Sequence, residues 1–464
     1  MSSTSGLVWF RRDLRLDDNP AWAAATSEHG QVTALFVVDP ALFDRASSRR
    51  VIRLLGDVAA LDAALSEHGG RLLVRVGDPR VVVPQEAGRL GVSAVHVNHD
   101  VTPYAAERDD AVRAALDASV VEWVPEWGTL VHEPGHIQTK AGSLSQVFTP
   151  FFRVWERTPW TPWPTSGDAL LTNDPGDALP KIEGDYPVLD GEVGEAALPG
   201  ERGALARLDL AVARADTYDE DRNTPSVLGT SQLSIDLRFG TLSPRRVAQV
   251  VGESTAGRAA LVRQLAWRDW YAHMLIATPT LVEQPMKPQY AAIQWRQDDK
   301  GFEAWKNGRT GYPFVDAGMR QLRETGWMHN RVRMVTASFL VKNLLIDWRR
   351  GERYFRHVLL DADVSQNVGN WQWVAGTGPD ASPYNRVFNP ILQSQRFDAN
   401  GDYIRRWVPE LASLDASAIH EPWATGPLEL AAAGIEIGVD YPEPIIDLAF
   451  SRGRVLEAYG AVKR

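Results

Sequence analysis

The sequence predicts an α/β fold in two parts: an N-terminal Rossmann-like parallel sheet and a C-terminal domain built almost wholly of helix. Three observations carry this. Residues 6 to about 130 alternate short apolar runs with amphipathic stretches, the rhythm of buried strands and the helices that cover them. Residues 158–200 are rich in Pro, Gly and Asp with little periodicity, as a long connection is. From Ala204 to Arg464 apolar positions recur at helical spacing, with few alternating β-branched runs. A chain of 464 residues exceeds one typical domain, so two cores are expected. The division is 1–130 for the sheet domain, 131–203 for the connection and 204–464 for the helical domain.

In chain order, strands are expected at LVWF (7–10), VTALFVV (32–38), RLLVRV (71–76), VSAVHV (92–97) and VVEWV (120–124). Helices are expected between them, at 49–70 and 103–119. Phe10 is followed by Arg-Arg-Asp rather than by a Gly-rich fingerprint, so this sheet need not bind a dinucleotide. In the second half, 258–276 and 332–348 each read as one helix, and no internal repeat is visible.

Composition narrows the classes of function. A hydrophobic content of 44% with 23% charged residues is that of a soluble globular protein, and no run approaches the length of a membrane span. The start, MSSTSGLVWFRRD, lacks a basic stretch followed by an apolar one, so a cytoplasmic location is expected. There are no cysteines, which excludes disulfides, thiolate catalysis and cysteine-ligated metals; redox chemistry must come from aromatics or a bound cofactor. The net charge of -10 argues against chain-wide attraction to nucleic acid. From Arg323 to Arg356, however, eight Lys or Arg face three Asp or Glu, which allows a basic face on an acidic protein.

The segment from Gly326 to Asp380 mixes what cores use with what they avoid. Trp327, Trp348, Trp371 and Trp373 sit among Arg331, Arg333, Arg349, Arg350, Arg353 and Arg356, with Asp361, Asp363, Asn367 and Asn370 between them. Buried charges are costly unless paired, so this composition points to a bound polar, aromatic group. Upstream, Tyr218 and Arg222 precede GTSQLS (229–234), whose hydroxyls lie just before a helical pattern and suit a pyrophosphate; an ordinary capped turn is the plainer reading of that motif alone. Asp361 and Asp363 have no metal-like partners nearby in sequence, so no metal site is expected. Each tryptophan by itself reads as core.

These motifs together resemble a known family. RRDLRLDDNPAW (11–22), GTSQLS (229–234), WRDWY (267–271), TGYPFVDAGMRQL (310–322), GWMHNRVRM (326–334) and the run from Asp361 through GNWQWVAGTGPDASPYNRVFNP are similar to the photolyase/cryptochrome family. Within it they resemble class I cyclobutane pyrimidine dimer photolyases, from about Leu7 to Leu411. The resemblance implies FAD in the helical domain, held by Tyr218, Thr230, Ser231, Gln232, Leu233, Ser234, Arg333, Asp361, Ala362, Asp363 and Asn367. Arg333 would pair with Asp361, and Asn367 would face flavin N5, where plant sensory cryptochromes carry an acid. Trp371, Trp348 and Trp295 match the family's electron-transfer chain.

The same resemblance implies UV-damaged DNA as partner and splitting of the flipped dimer by an electron from excited reduced flavin. Trp267 and Trp373 would wall the pocket, and Asn330 and Met334 match the lesion-contacting pair, where six-four photolyases carry two histidines. Arg222, Arg268, Arg331 and Gln393 would contact DNA or lesion. Gln264 departs from the glutamate of many dimer photolyases: an amide still donates and accepts hydrogen bonds but supplies no carboxylate. The region Asn98–Tyr104, with Glu107, Arg108 and Asp109, resembles an antenna site of the 8-hydroxy-deazaflavin type more than a methenyl-tetrahydrofolate site. A monomer is implied. The alternatives are a cryptochrome-like photosensor, disfavoured by the absence of a long charged tail after Leu411, and six-four photoproduct repair, which Gln264 alone supports.

Overall fold

The computed structural model describes residues 4–462. Packing divides the chain into two units that are not contiguous in sequence. The first runs to Asp216 and adds Ser231–Pro279 and Leu360–Ser365; the second comprises Thr217–Thr230, Thr280–Leu359 and the chain from Gln366 onward.

The first unit holds the sheet. Strands β1 (Ser5–Phe10), β2 (Gln31–Val38), β3 (Leu72–Val76), β4 (Ala94–Asn98) and β5 (Glu122–Glu126) are all parallel, in the order β3-β2-β1-β4-β5. Helices Pro20–Glu28, Ser48–Glu67, Pro79–Leu90 and Pro103–Asp117 make the crossovers. The central strands read as unbroken apolar runs because helices cover both faces. Each crossover helix starts at a capping side chain: Asn19, Ser47, Asp78 and Thr102 accept backbone N–H groups of the first turn, and Pro follows three of them. The five strands fall where the apolar runs predict them.

The stretch expected as the connection, 131–203, has elements of its own. It contains helix Phe148–Trp155 and a short strand β6 (Leu170–Leu171) that runs parallel to β2 at Gln31 and Val32. β3 pairs with β2 only from Ala34 to Val38, so the start of β2 has a bare edge, and β6 covers it. Gly176 continues the contact along β3 with φ +66°, where a Cβ would lie 2.3 Å from the Val74 carbonyl oxygen.

The second unit is helical, with helices Asp299–Lys306, Pro313–Thr325, Asn330–Ser338, Trp348–Val358, Pro390–Phe397 and Leu448–Ala461 among its elements. The single helix expected over 332–348 is broken. A π turn at Phe339–Asn343 follows Ser338, Leu345 adopts φ +56°, and a new helix starts at Trp348 under the Asp347 cap. The π turn directs Lys342 inward, where its amine donates to the carbonyls of Ala375 (2.9 Å) and Tyr384 (3.3 Å). Helix Ala256–Ala277, C-terminal in sequence, packs with the first unit. Among the described residues no helix is long and apolar enough to cross a membrane.

Candidate functional site

In the first unit, Ser234 opens helix Ser234–Phe239, yet its hydroxyl does not cap that helix. It donates instead to Asp361 Oδ2 at 2.7 Å. Just upstream, Gln232 holds φ +59°, a left-handed conformation uncommon for a residue with a Cβ. Arg238, on the same short helix, donates to the Ala362 carbonyl at 2.7 Å. Arg12 pairs with Asp363 and, at 3.2 Å, with Asp100; the Ser365 hydroxyl donates to Asp363 at 2.6 Å. Asp361, Ala362 and Asp363 are thereby pinned one after another by Ser234, Arg238 and Arg12.

Positive charge surrounds Asp363. Burial pushes the Asp363 carboxyl up, but the Arg12 and Arg268 charges and the Ser365 hydrogen bond outweigh it and hold the group well below the usual carboxylate range. Burial and the Arg12 charge pull Arg238 down to about 9 against the attraction of Asp363. Three half-buried guanidiniums, Arg12, Arg268 and Arg238, thus surround the Asp363 carboxylate. Guanidiniums beside serine hydroxyls fit the pyrophosphate and ribose of a flavin dinucleotide. Arg12 and Arg238 were not singled out in the sequence; the signal for Arg12 lay in the RRDLRLDDNPAW motif.

Helix Ala256–Ala277 carries Gln264, Trp267 and Arg268 on one face. Gln264 turns its amide nitrogen to the Ala260 carbonyl (2.9 Å), so its side-chain oxygen is the group it can offer a ligand. Trp267 lies flat on Phe148, centroids 3.5 Å apart and planes within 10°. Arg268 is spent on main-chain carbonyls, those of Thr129 and Leu237.

In the second unit, Asn330 is exposed at the start of helix Asn330–Ser338, and Met334 lies one turn on, half-buried, on the same face. His329 caps this helix: its Nδ1 accepts the Arg331 backbone N–H at 3.1 Å. Burial, then the charges of Arg333 and Arg331, pull His329 down to about 3, so it is neutral in the working range. Arg331 donates to the Asn223 side-chain oxygen at 2.6 Å and stands 4.3 Å over the Phe397 ring. Arg333 donates to the Met328 carbonyl, Arg222 stands over Tyr218, and Gln393 is half-buried on helix Pro390–Phe397. Asn367 is buried, and its amide nitrogen donates twice to Glu352, to the carbonyl (3.0 Å) and to Oε1 (2.9 Å). That anchoring spends the amide nitrogen and leaves the side-chain oxygen as the atom Asn367 can offer a ligand. Glu352, held up by burial, was not foreseen in the sequence.

Trp371 and Trp348 are each 2% exposed, whereas Trp295 is half-buried and meets Tyr459 edge-on at 6.2 Å. Trp371 packs edge-on against Phe355 (5.0 Å) and Trp305 (6.2 Å). Trp373, two residues on, is half-buried. Gly351 seats the Trp371 ring: a Cβ there would lie 2.2 Å from the indole and 2.6 Å from a Leu340 methyl. Gly351→Ala is therefore expected to destabilise the protein by about 1–3 kcal/mol through overpacking. Urea denaturation followed by tryptophan fluorescence measures this, and an unchanged midpoint would show that the ring has room to move.

Residues 261–461 match the FAD binding domain of DNA photolyase, and residues 6–167 match DNA photolyase. A deoxyribodipyrimidine photo-lyase of Agrobacterium fabrum is 39% identical over 476 residues, covering 99% of this chain and 98% of that protein. Among solved structures, a bacterial class III photolyase from Agrobacterium tumefaciens superposes with a TM-score of 0.90 at 38% identity, covering 100% of this chain and 98% of the other. The Synechocystis sp. cryptochrome superposes at 0.89 with 32% identity, covering 99% of each chain.

Proposed function

Because the chain belongs to the DNA photolyase family, we propose that it is a light-driven repair enzyme that splits cyclobutane pyrimidine dimers in UV-damaged DNA, acting as a monomer in the cytoplasm. The observation that carries the choice of lesion is the Asn330–Met334 pair, one turn apart on an exposed helix face. The imidazole beside them, His329, is committed as a cap and held neutral, so it is a poor proton donor for six-four chemistry.

The chemistry FAD supplies when bound and reduced is one electron, lent to the dimer under light and taken back. Tyr218, Thr230, Ser231, Gln232, Leu233 and Ser234, with Arg333, Asp361, Ala362 and Asp363, would hold it. Asn367 would keep a neutral, non-titrating oxygen at that site. Asn330, Met334 and the Gln264 oxygen would bind the extruded pyrimidines between Trp267 and Trp373. A crosslinked pair is already poorly stacked, so extrusion costs less for the lesion than for normal DNA. Arg222, Arg331 and Gln393 would position the backbone without reading sequence. Trp371, Trp348 and Trp295 would refill an oxidised flavin with electrons. We keep an 8-hydroxy-deazaflavin as the antenna of the sheet domain.

The test is repair by purified, reduced protein of two oligonucleotides, one with a cyclobutane thymine dimer and one with a six-four photoproduct, in blue light and in darkness. Light-dependent loss of the cyclobutane dimer alone is expected. Repair of the six-four lesion would overturn the lesion assignment. Repair of neither, with flavin bound and photoreducible, would move the protein to the photosensor class. Asn330→Ala or Met334→Ala should each lower repair at limiting DNA by about tenfold, by loss of lesion contacts, with flavin content unchanged. Loss of flavin in either variant would contradict the assigned role.

A further inference from the structure

Glu28, His29 and His96 have no role in the site above, yet each offers one ligand atom, and the three atoms lie within 4.8 Å of one another. We propose that they form a binding site for a divalent transition-metal ion of the zinc type, which clasps the end of the first crossover helix to strand β4. His96 lies in mid-strand, opposite Val8 of β1, and is 0% exposed. His29 follows directly on helix Pro20–Glu28, so Glu28 and His29 come from the end of one element and His96 from another.

The geometry is built rather than incidental. His29 Nε2 and His96 Nε2 are 2.9 Å apart, a spacing at which two imidazoles share either one proton or one cation. Two nitrogens bound at about 2.0–2.1 Å and at right angles lie about 2.9 Å apart, and a tetrahedral centre needs about 3.3 Å, an opening of a few tenths of an ångström. The His29 ring is fixed on its other sides. Its Nδ1 meets the Thr4 hydroxyl at 3.0 Å, an outer partner that aims Nε2 inward, and Gly6 leaves space beneath it, since a Cβ there would lie 2.4 Å from His29 Cδ2. The wholly buried His96 turns its Nε2 toward His29 Nε2, and that contact is the one hydrogen bond its ring makes among the described residues. Glu28 is exposed, so its carboxylate brings the negative charge and leaves room for water; two imidazoles and one carboxylate are a known zinc donor set.

Full-length protein, freed of metal by dialysis against a chelator, would be titrated with zinc in competition with a chromophoric chelator, and with cobalt(II) followed by its visible absorption. One equivalent is expected for the wild type, with cobalt bands of nitrogen and oxygen ligation. Glu28→Ala should weaken binding about tenfold or more, His29→Gln should abolish it, and Thr4→Val should cost about 10–100-fold. Glu28 lies on the exposed helix end, so its variant folds and keeps the test decisive. Sub-stoichiometric binding by the wild type, or binding unchanged in both Glu28→Ala and His29→Gln, would overturn the proposal. The readout does not involve repair, so it stands or falls apart from the function proposed above.

Discussion

Trp371→Phe is expected to stop light-driven reduction of bound, oxidised flavin while sparing repair by protein reduced chemically beforehand. An indole is easily oxidised and a benzene ring is not, so the substitution removes the first station of the proposed relay and keeps most of the packing. Trp371 is buried against Phe355, Trp305 and Gly351, and a smaller ring fits the same space without a new polar group. The measurement is the bleaching of oxidised flavin under blue light with an external reductant, beside dimer repair by dithionite-reduced protein. Photoreduction should fall to the level of an unlit control. If repair by the reduced protein is lost as well, Trp371 serves the catalytic site rather than its recharging, and the division of labour among the tryptophans fails.

The largest effect on stability is expected at Asp236. This carboxylate is wholly buried in helix Ser234–Phe239 and accepts hydrogen bonds from Arg53 (2.8 Å), from Arg207 twice (2.7 and 2.8 Å) and from the Thr241 hydroxyl (2.9 Å). Asp236→Ala leaves two buried guanidiniums short of their shared counter-charge, which should cost about 3–5 kcal/mol. Flavin should be lost in parallel, because the same short helix carries Ser234 and Arg238. The pH dependence has a definite sign. Burial pushes the Asp236 carboxyl up, but the charges of Arg207 and Arg53 and the hydrogen bonds from Arg207 and Thr241 pull it below its unfolded value. Its contribution is then fully present above the unfolded value near pH 4 and is lost as pH falls through the folded one. Asp236→Asn should flatten that acid limb. Denaturation midpoints across pH 3–7 that match the wild type would refute the assignment.

The strands were legible in the sequence because a parallel sheet covered on both faces needs unbroken apolar runs, and 32–38 supplies one. β6 was not legible, because two residues in a Pro-rich stretch carry no period. Nor was the π turn at Phe339–Asn343: the apolar pattern runs on through it, and what sets it apart is where the Lys342 amine finds its carbonyls. In the candidate site, residue types were legible and partners were not. Asn367 and Glu352 are fifteen residues apart, and Arg238 meets Ala362 across 124, separations over which no local rule operates. Tryptophans that look like core one by one gained a role from their resemblance to a family, not from their own spacing.

The pairing of Arg12 with Asp363 joins residues 351 positions apart. On a ribosome adding about 5–20 residues per second, the guanidinium emerges roughly 18–70 s before its carboxylate exists. The sheet strands can pair in that interval, but the cation beside them has no counter-charge from Asp363 until that residue is made. Maturation of this region is thus timed by translation, and a nascent chain arrested before Leu360 should hold the sheet while remaining unable to complete its ligand cradle.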